Sequence, residues 1–137
     1  MAVAASPALL EGRSSLTKAE MQDMEWILAR DWPEQENYIK SLGLNPETLS
    51  RTDFVNEELS LAAARQGLGL VVFPSWLIGE GLRAGTLQAV LTEYEVATTL
   101  EPQQIAALWP GSRRLSLKVR TVIDYFVECF GTVPYWD

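Results

Sequence analysis

Histidine is absent from this sequence, cysteine occurs once, and no apolar run approaches the length of a membrane span. Each absence excludes something. Without an imidazole there is no Ser-His-Asp or Cys-His catalysis and no histidine metal site. The lone Cys129 forms no internal disulfide, so nothing calls for an oxidising compartment. It lies in an apolar helical stretch, where a buried and inert thiol is expected rather than a nucleophile. A bilayer crossing takes ~18 consecutive apolar residues. The first residues lack a basic start and are interrupted by Pro7, so they do not read as a signal peptide. A cytoplasmic chain with no membrane partner is expected. Positive charge is also scarce: 11 Lys and Arg stand against 18 Asp and Glu, a net charge of -7. Such a chain repels phosphate backbones and is a poor nucleic-acid binder on its own.

What is present is ordinary globular usage. Hydrophobic residues are 47% of the 137 and charged residues 21%. That composition argues against disorder, and the length suffices for one sizeable core.

Residues 3–5 are a short apolar stub ended by Ser6-Pro7. Thr17-Lys18-Ala19-Glu20 is a capping box and predicts a short helix to about Met24. Glu25-Trp26-Ile27-Leu28-Ala29 is a strand-length apolar run, punctuated by Asp31-Trp32-Pro33. Residues 34–42 look helical, with Tyr38, Ile39 and Leu42 on one face and Gly43 where a left-handed residue is wanted. Residues 45–50 read as loop and residues 51–55 as a strand. Residues 57–66 form an Ala/Leu-rich helix that Gly67 stops.

Residues 68–73 are a buried strand candidate ended by Pro74. Ser75 is expected to cap a helix over residues 76–83, weakened by Gly79 and Gly81 and ended by Ala84-Gly85. Residues 86–91 and 103–109 are two further strands, and residues 94–102 the best internal boundary. Ser116 opens the longest helix, to about Phe130, with Val119, Val122, Ile123, Phe126, Val127 and Phe130 on a wide apolar face. Gly131 ends it and residues 131–137 are a tail. Helices and strands alternate, which predicts an α/β fold with its sheet covered by helices.

Few residues carry chemistry. Gly67-Leu68-Gly69 precedes a strand, whereas a dinucleotide fingerprint follows one; helix termination explains both glycines. Glu57-Glu58 could be an acid/base pair, but acids in a first helical turn ordinarily complement the dipole. Arg113-Arg114 with Lys118 and Arg120 reads as a solvated helix start. Trp26 and Trp109 sit in apolar patterns and are expected in the core. Trp32 differs, because it occupies a strand-to-helix corner. In open α/β sheets such corners, at the carboxyl ends of strands, line the ligand crevice. The same logic covers residues 52–56 and Pro74-Ser75, and three such exits argue for a small-molecule cleft. No cofactor, no metal and no enzymatic activity are expected.

The order of these motifs is familiar. Ser6-Pro7-Ala8-Leu9-Leu10 looks like the opening of the distal lobe in LysR-type transcriptional regulators. Ala63-Ala64-Arg65-Gln66-Gly67-Leu68-Gly69-Leu70-Val71-Val72-Phe73-Pro74 resembles their "A..G.G...LP" block, and Leu82-Arg83-Ala84-Gly85-Thr86-Leu87 their "L..G.L". Arg113-Arg114-Leu115-Ser116-Leu117-Lys118-Val119-Arg120-Thr121-Val122-Ile123-Asp124-Tyr125-Phe126 is similar to their "R..LS.KVR.FIDF" close. The resemblance implies a periplasmic-binding-protein-like effector lobe, a mixed sheet covered by helices, with the second lobe incomplete. Residues 6–92 would be the distal lobe and residues 103–130 a remnant of the proximal one. The winged helix-turn-helix, the linker helix and the first half of the proximal lobe are not in this sequence, so a fragment of a regulator or a truncated reading frame is expected.

The resemblance also implies a small-molecule effector, with DNA reached only through the winged helix-turn-helix domain. Its distal contacts would be Arg30, Asp31, Trp32, Pro33 and Glu34, then Asp53, Phe54, Val55, Asn56, Glu57 and Glu58, then Pro74 and Ser75. Family effectors are often small carboxylates or aromatic metabolites. Glu57 and Glu58 would oppose an anion, which Arg30 or Arg51 would have to offset. The apolar face of the last helix, short of its covering sheet, implies a homodimer through residues 103–130. The alternative reading is a fragment of a solute-binding protein of a transporter. An enzyme on an α/β scaffold is disfavoured, since no nucleophile–base set exists.

Overall fold

The computed structural model describes residues 1–30, 32–92, 108 and 116–131. The chain divides into two compact units; the described part of the first ends at residue 92, and that of the second is Leu108 with residues 116–131.

The first unit is built on a five-stranded sheet. Its strands are β1 (Ala2–Ala5), β3 (Trp26–Ala29), β4 (Arg51–Phe54), β5 (Leu70–Phe73) and β6 (Gln88–Ala89), in the order β4-β3-β5-β1-β6. β4, β3 and β5 are parallel, with Trp26 level with both Arg51 and Leu70. β1 runs antiparallel to β5 and to β6, so the sheet is mixed. A separate parallel pair joins β2 (Ser15–Leu16) to β7 (Leu91–Thr92).

Side-chain alternation along the strands divides the core into two layers. Val3, Ala5, Trp26, Leu28, Leu70 and Val72 face one way, beneath α2 (Lys18–Asp23) and α3 (Pro33–Ser41). Ala4, Ile27, Ala29, Val71 and Phe73 face the other way, beneath α4 (Glu57–Arg65) and α5 (Ser75–Arg83). β3 and β5 are buried on both faces, which is why their sequences are continuous apolar runs. Two glycines permit close approach. A Cβ on Gly69 would meet the Glu25 carbonyl oxygen at 2.5 Å, and one on Gly81 would meet Leu87 at 2.8 Å. The capping box is present: the Glu20 amide donates to Thr17 Oγ1 at 3.3 Å and the Thr17 amide to the Glu20 carboxylate at 2.7 Å.

Several expectations need correction. The stub at residues 3–5 is β1, an interior strand of the sheet, and it leads into a short helix, α1 (Pro7–Leu10). The strand expected over residues 68–73 begins at Leu70, because the helix-ending turn carries through Leu68, whose amide donates to the Ala63 carbonyl. The single strand over residues 86–91 is two short strands in two sheets: the Val90 amide between them turns to the Val3 carbonyl at 2.9 Å. Ser75 is the first residue of α5 and not its cap; Pro74 holds that position at φ -58° and ψ 150° with no side-chain bond. In the second unit the last helix, α6 (Leu117–Phe130), is as expected, and Ser116 accepts from the Val119 amide at 3.4 Å. Cys129 on that helix is exposed, not buried, because α6 buries none of its residues, its apolar stripe included. The strand at residues 103–109 (apart from Leu108), the boundary at 94–102, Trp109, Arg113-Arg114 and the tail beyond Gly131 lie outside the described residues.

Candidate functional site

The parallel arrangement of β4, β3 and β5 brings their carboxyl ends to one edge of the sheet. Each end passes directly into a helix: β3 into α3, β4 into α4, β5 into α5. Three helix N-termini, with their positive dipole ends, therefore gather at one edge. Every described residue expected to line the cleft belongs to this edge or the turn beyond it; Asp31 lies outside the described residues.

At the β3 exit the exposed Arg30 is tied through its backbone, its amide donating to the Phe54 carbonyl at 2.8 Å, which locks the β3 and β4 ends together. Pro33 is the first residue of α3, where its missing amide costs nothing. Trp32 precedes it, half-buried, with its ring edge-on to Phe73 at a centroid distance of 5.3 Å. Glu34 is exposed in the first turn. At the β4 exit Phe54 is half-buried, packing against the α4–α5 layer, and Val55 is 69% exposed. Asn56 caps α4, its Oδ1 accepting from the Leu59 amide at 3.0 Å. Glu57 and Glu58 stand exposed in that first turn, complementing the dipole. At the β5 exit Pro74 is buried and Ser75 half-buried.

Charge at this edge is unevenly committed. Arg51 donates to Glu36 at 2.8 Å and lies 3.5 Å from Asp53. The bond to Glu36 holds its guanidinium pKa above the usual arginine value. Arg51 is thus engaged by both Glu36 and Asp53 along the outer strand. Arg30 makes no ion pair among the described residues. Of the two cations expected to offset Glu57 and Glu58, Arg30 is the uncommitted one. No group of three or more metal-ligating side chains occurs among the described residues.

Sequence reasoning missed Gln35. Its side chain is fully buried, and it accepts from the Ala29 amide at 2.8 Å while donating to the Val72 carbonyl at 2.8 Å. The signal was its spacing: four residues before Ile39 and seven before Leu42, it holds an inward position of α3 that an apolar residue would ordinarily take. Ser60 was also missed. It is buried on α4, its hydroxyl 3.0 Å from the Asn56 carbonyl and 3.3 Å from that of Leu28, so it fastens α4 to β3.

The family described as LysR substrate binding domain matches residues 1–130. The chain belongs to this LysR family. Over 93 residues it is 47% identical to the AhcY transcriptional activator HvrB of Rhodobacter capsulatus, a match covering 66% of this chain and 32% of that protein. The chain thus spans about a third of the length of the curated relative it matches. The AmpR effector-binding domain of Citrobacter freundii superposes at a TM-score of 0.61 with 14% identity, covering 93% of this chain and 62% of that one. The CrgA regulatory domain of Neisseria meningitidis, a LysR-type transcriptional regulator, gives 0.60 with 17% identity, covering 95% and 64%. These neighbours share the fold, the periplasmic-binding-protein-like α/β arrangement of LysR effector-binding domains. A LysR effector-binding domain, not a solute-binding protein of a transporter, is what the match and the relative support.

Proposed function

We propose that this chain senses a small-molecule effector in the crevice at the carboxyl ends of β3, β4 and β5, within a regulator of transcription. The convergence of three strand exits and three helix N-termini at one edge carries the reading, with the half-buried Trp32 as an aromatic wall. Arg30, Asp31, Trp32, Pro33 and Glu34, Asp53 through Glu58, and Pro74 with Ser75 form the distal side of the site. The HvrB relative, an activator of transcription by its name, supports the regulatory role. Arg30 provides the one uncommitted cation of the described site, so an effector with a single anionic group fits better than a polyanion facing Glu57 and Glu58. The role is binding without turnover, in the cytoplasm, with no cofactor. DNA is contacted by a winged helix-turn-helix domain of the longer regulator, and ligand binding shifts the population of its arrangements.

Residues 6–92 act as the distal lobe and residues 103–130 as part of the proximal lobe, through which two copies pair. Exposed Val122, Phe126 and Val127 on α6 support that pairing, because each such side chain gains roughly 1.5–3 kcal/mol on burial. Light scattering at micromolar concentration is expected to return a dimer mass. A monomer with α6 protected from hydrogen exchange removes the pairing. For the crevice, a library of small organic acids is titrated against the full chain and its Trp32→Phe variant, following intrinsic fluorescence. Binders are expected to quench the wild type and to lose most of that signal in the variant; equal quenching in both moves the ligand away from Trp32.

A further inference from the structure

The ladder between β3 and β5 stops early, and the register shows where. The Leu70 amide donates to the Glu25 carbonyl at 2.8 Å, and Ile27 lies level with Val71. In a parallel ladder of that register the third bond after it joins the Ala29 amide to the Val72 carbonyl. Those are the two groups that Gln35 takes instead: its Oε1 accepts from Ala29 and its Nε2 donates to Val72, each at 2.8 Å. The carboxamide is interposed in a single rung of the sheet. The rung after it would need an amide at Pro74, which has none. Both strands remain paired on their outer sides there, β3 with β4 through Ala29–Phe54 and β5 with β1 through Ala2–Phe73. The parting is therefore confined to the seam that faces the crevice.

Gln35 is also the third residue of α3, and its own amide donates to the Trp32 carbonyl at 3.2 Å. The side chain fixes α3 to both strands at the turn that carries Trp32, whose ring rests on Phe73 at the end of β5. We propose that Gln35 is the positioning residue of the crevice, a spacer that holds the β3 and β5 ends apart and seats Trp32 as its wall. The link to effector recognition rests on the function proposed above, while the spacer itself does not. Without the amide, the Ala29 amide and Val72 carbonyl are free to bond directly, the crevice narrows at its floor, and Trp32 loses its register on Phe73.

The Gln35→Glu variant tests this through protonation. A neutral carboxyl repeats the amide's pattern, accepting from Ala29 and donating its O–H to Val72; a carboxylate turns an oxygen against the Val72 carbonyl. Burial and that carbonyl favour the neutral form, so ionisation is delayed to higher pH. The readout is acrylamide quenching of Trp32 in the full chain, obtained by subtracting the matching Trp32→Phe protein. At pH 5.5 the variant is expected to match the wild type. At pH 9 its quenching constant is expected to rise about twofold with unchanged far-UV circular dichroism. Wild type is expected to stay flat, because the Gln35 carboxamide does not titrate, and the charged neighbours Arg30, Glu34 and Glu36, common to both proteins, cancel in the comparison.

Quenching that is the same at both pH values, or raised equally at both, overturns the proposal. If the variant unfolds at pH 9, the wild type decides by NMR. A through-hydrogen-bond coupling from the Ala29 nitrogen to the Gln35 side-chain carbonyl carbon supports the spacer; a coupling to the Val72 carbonyl carbon overturns it. No ligand enters either measurement, so a failed effector titration and a failed spacer are told apart.

Discussion

The seam between β3 and β5 is closed at one end and parted at the other. At the amino end, Trp26 is fully buried and its Nε1 donates to the Met21 carbonyl at 2.8 Å. The Trp26 amide reaches the Ser50 carbonyl and the Leu70 amide the Glu25 carbonyl, each at 2.8 Å, so the ladder is continuous. At the carboxyl end a glutamine side chain replaces a rung, a second tryptophan is only half-buried, and Val55 is left to solvent. The contrast is between two tryptophans on one strand and its exit. One spends its whole surface and its only donor on the core; the other keeps a face available. Ligand-binding elements are commonly drawn from the less protected part of a fold, and the edge proposed as the crevice is the less protected end of this seam.

The comparison breaks most sharply at Trp26. Trp26→Ala removes a fully buried indole and orphans the Met21 carbonyl, so a loss of about 3–5 kcal/mol is expected in urea unfolding. Trp32→Ala is expected to cost less than half as much while removing most of the fluorescence change that the proposed effector binding would give. Comparable losses at both positions erase the distinction between the ends. Gly69→Ala is the next largest. The added methyl would stand 2.5 Å from the Glu25 carbonyl oxygen, a backbone atom that cannot swing aside. Forcing the β3–β5 seam open at its closed end is expected to cost about 1–3 kcal/mol, read by thermal unfolding. Neutrality there means that the amino end tolerates parting as well as the carboxyl end does.

Legibility in the sequence followed the range of the forces involved. α3, α4 and α6 were plain because the apolar face of α3, the Ala/Leu-rich run of α4, the Ser116 cap of α6 and the stop glycines are local, and β3 and β5 because burial on both faces leaves an unbroken apolar run. β1 escaped notice because four small residues carry no period; it is a strand only through Val72 and Ala89, some seventy residues or more away. The two short strands after residue 87 were merged for the same reason, since the Val90 amide is claimed by distant Val3. Ser75 looked like a cap because the rule favours serine there, yet proline's fixed φ already sets the turn. Of the residues proposed for the cleft, Trp32, residues 52–56 and Pro74-Ser75 were reached through the strand exits, a topological argument, and the others through the family resemblance. Gln35 was not, because a buried amide completing a sheet has no motif: its partners, Ala29 and Val72, are defined only once β3 and β5 lie side by side.

The smallest expected effect is at the closed end and is set by pH. Glu25 accepts from the hydroxyls of Ser50 and of Thr52, the latter at 2.7 Å, bridging the starts of β3 and β4. The Ser50 bond, and then the Thr52 bond, hold its pKa below the ordinary carboxyl value of 4.5. A group whose folded pKa is depressed adds stability that is complete above its unfolded value and is lost as pH falls through its folded value. The contribution of Glu25 is therefore full at neutral pH and begins to fade below about pH 5. Because the carboxylate is well solvated, screening keeps it small, on the order of 0.5 kcal/mol or less. Ser50→Ala removes the leading bond and should return the Glu25 pKa toward 4.5, as read by NMR titration of its side-chain carboxyl carbon. The stability gap between variant and wild type is then widest at neutral pH and narrows as both are acidified. A gap that widens in acid instead would mean that the hydroxyls favour the protonated carboxyl, and that the amino end is not held shut by this charge.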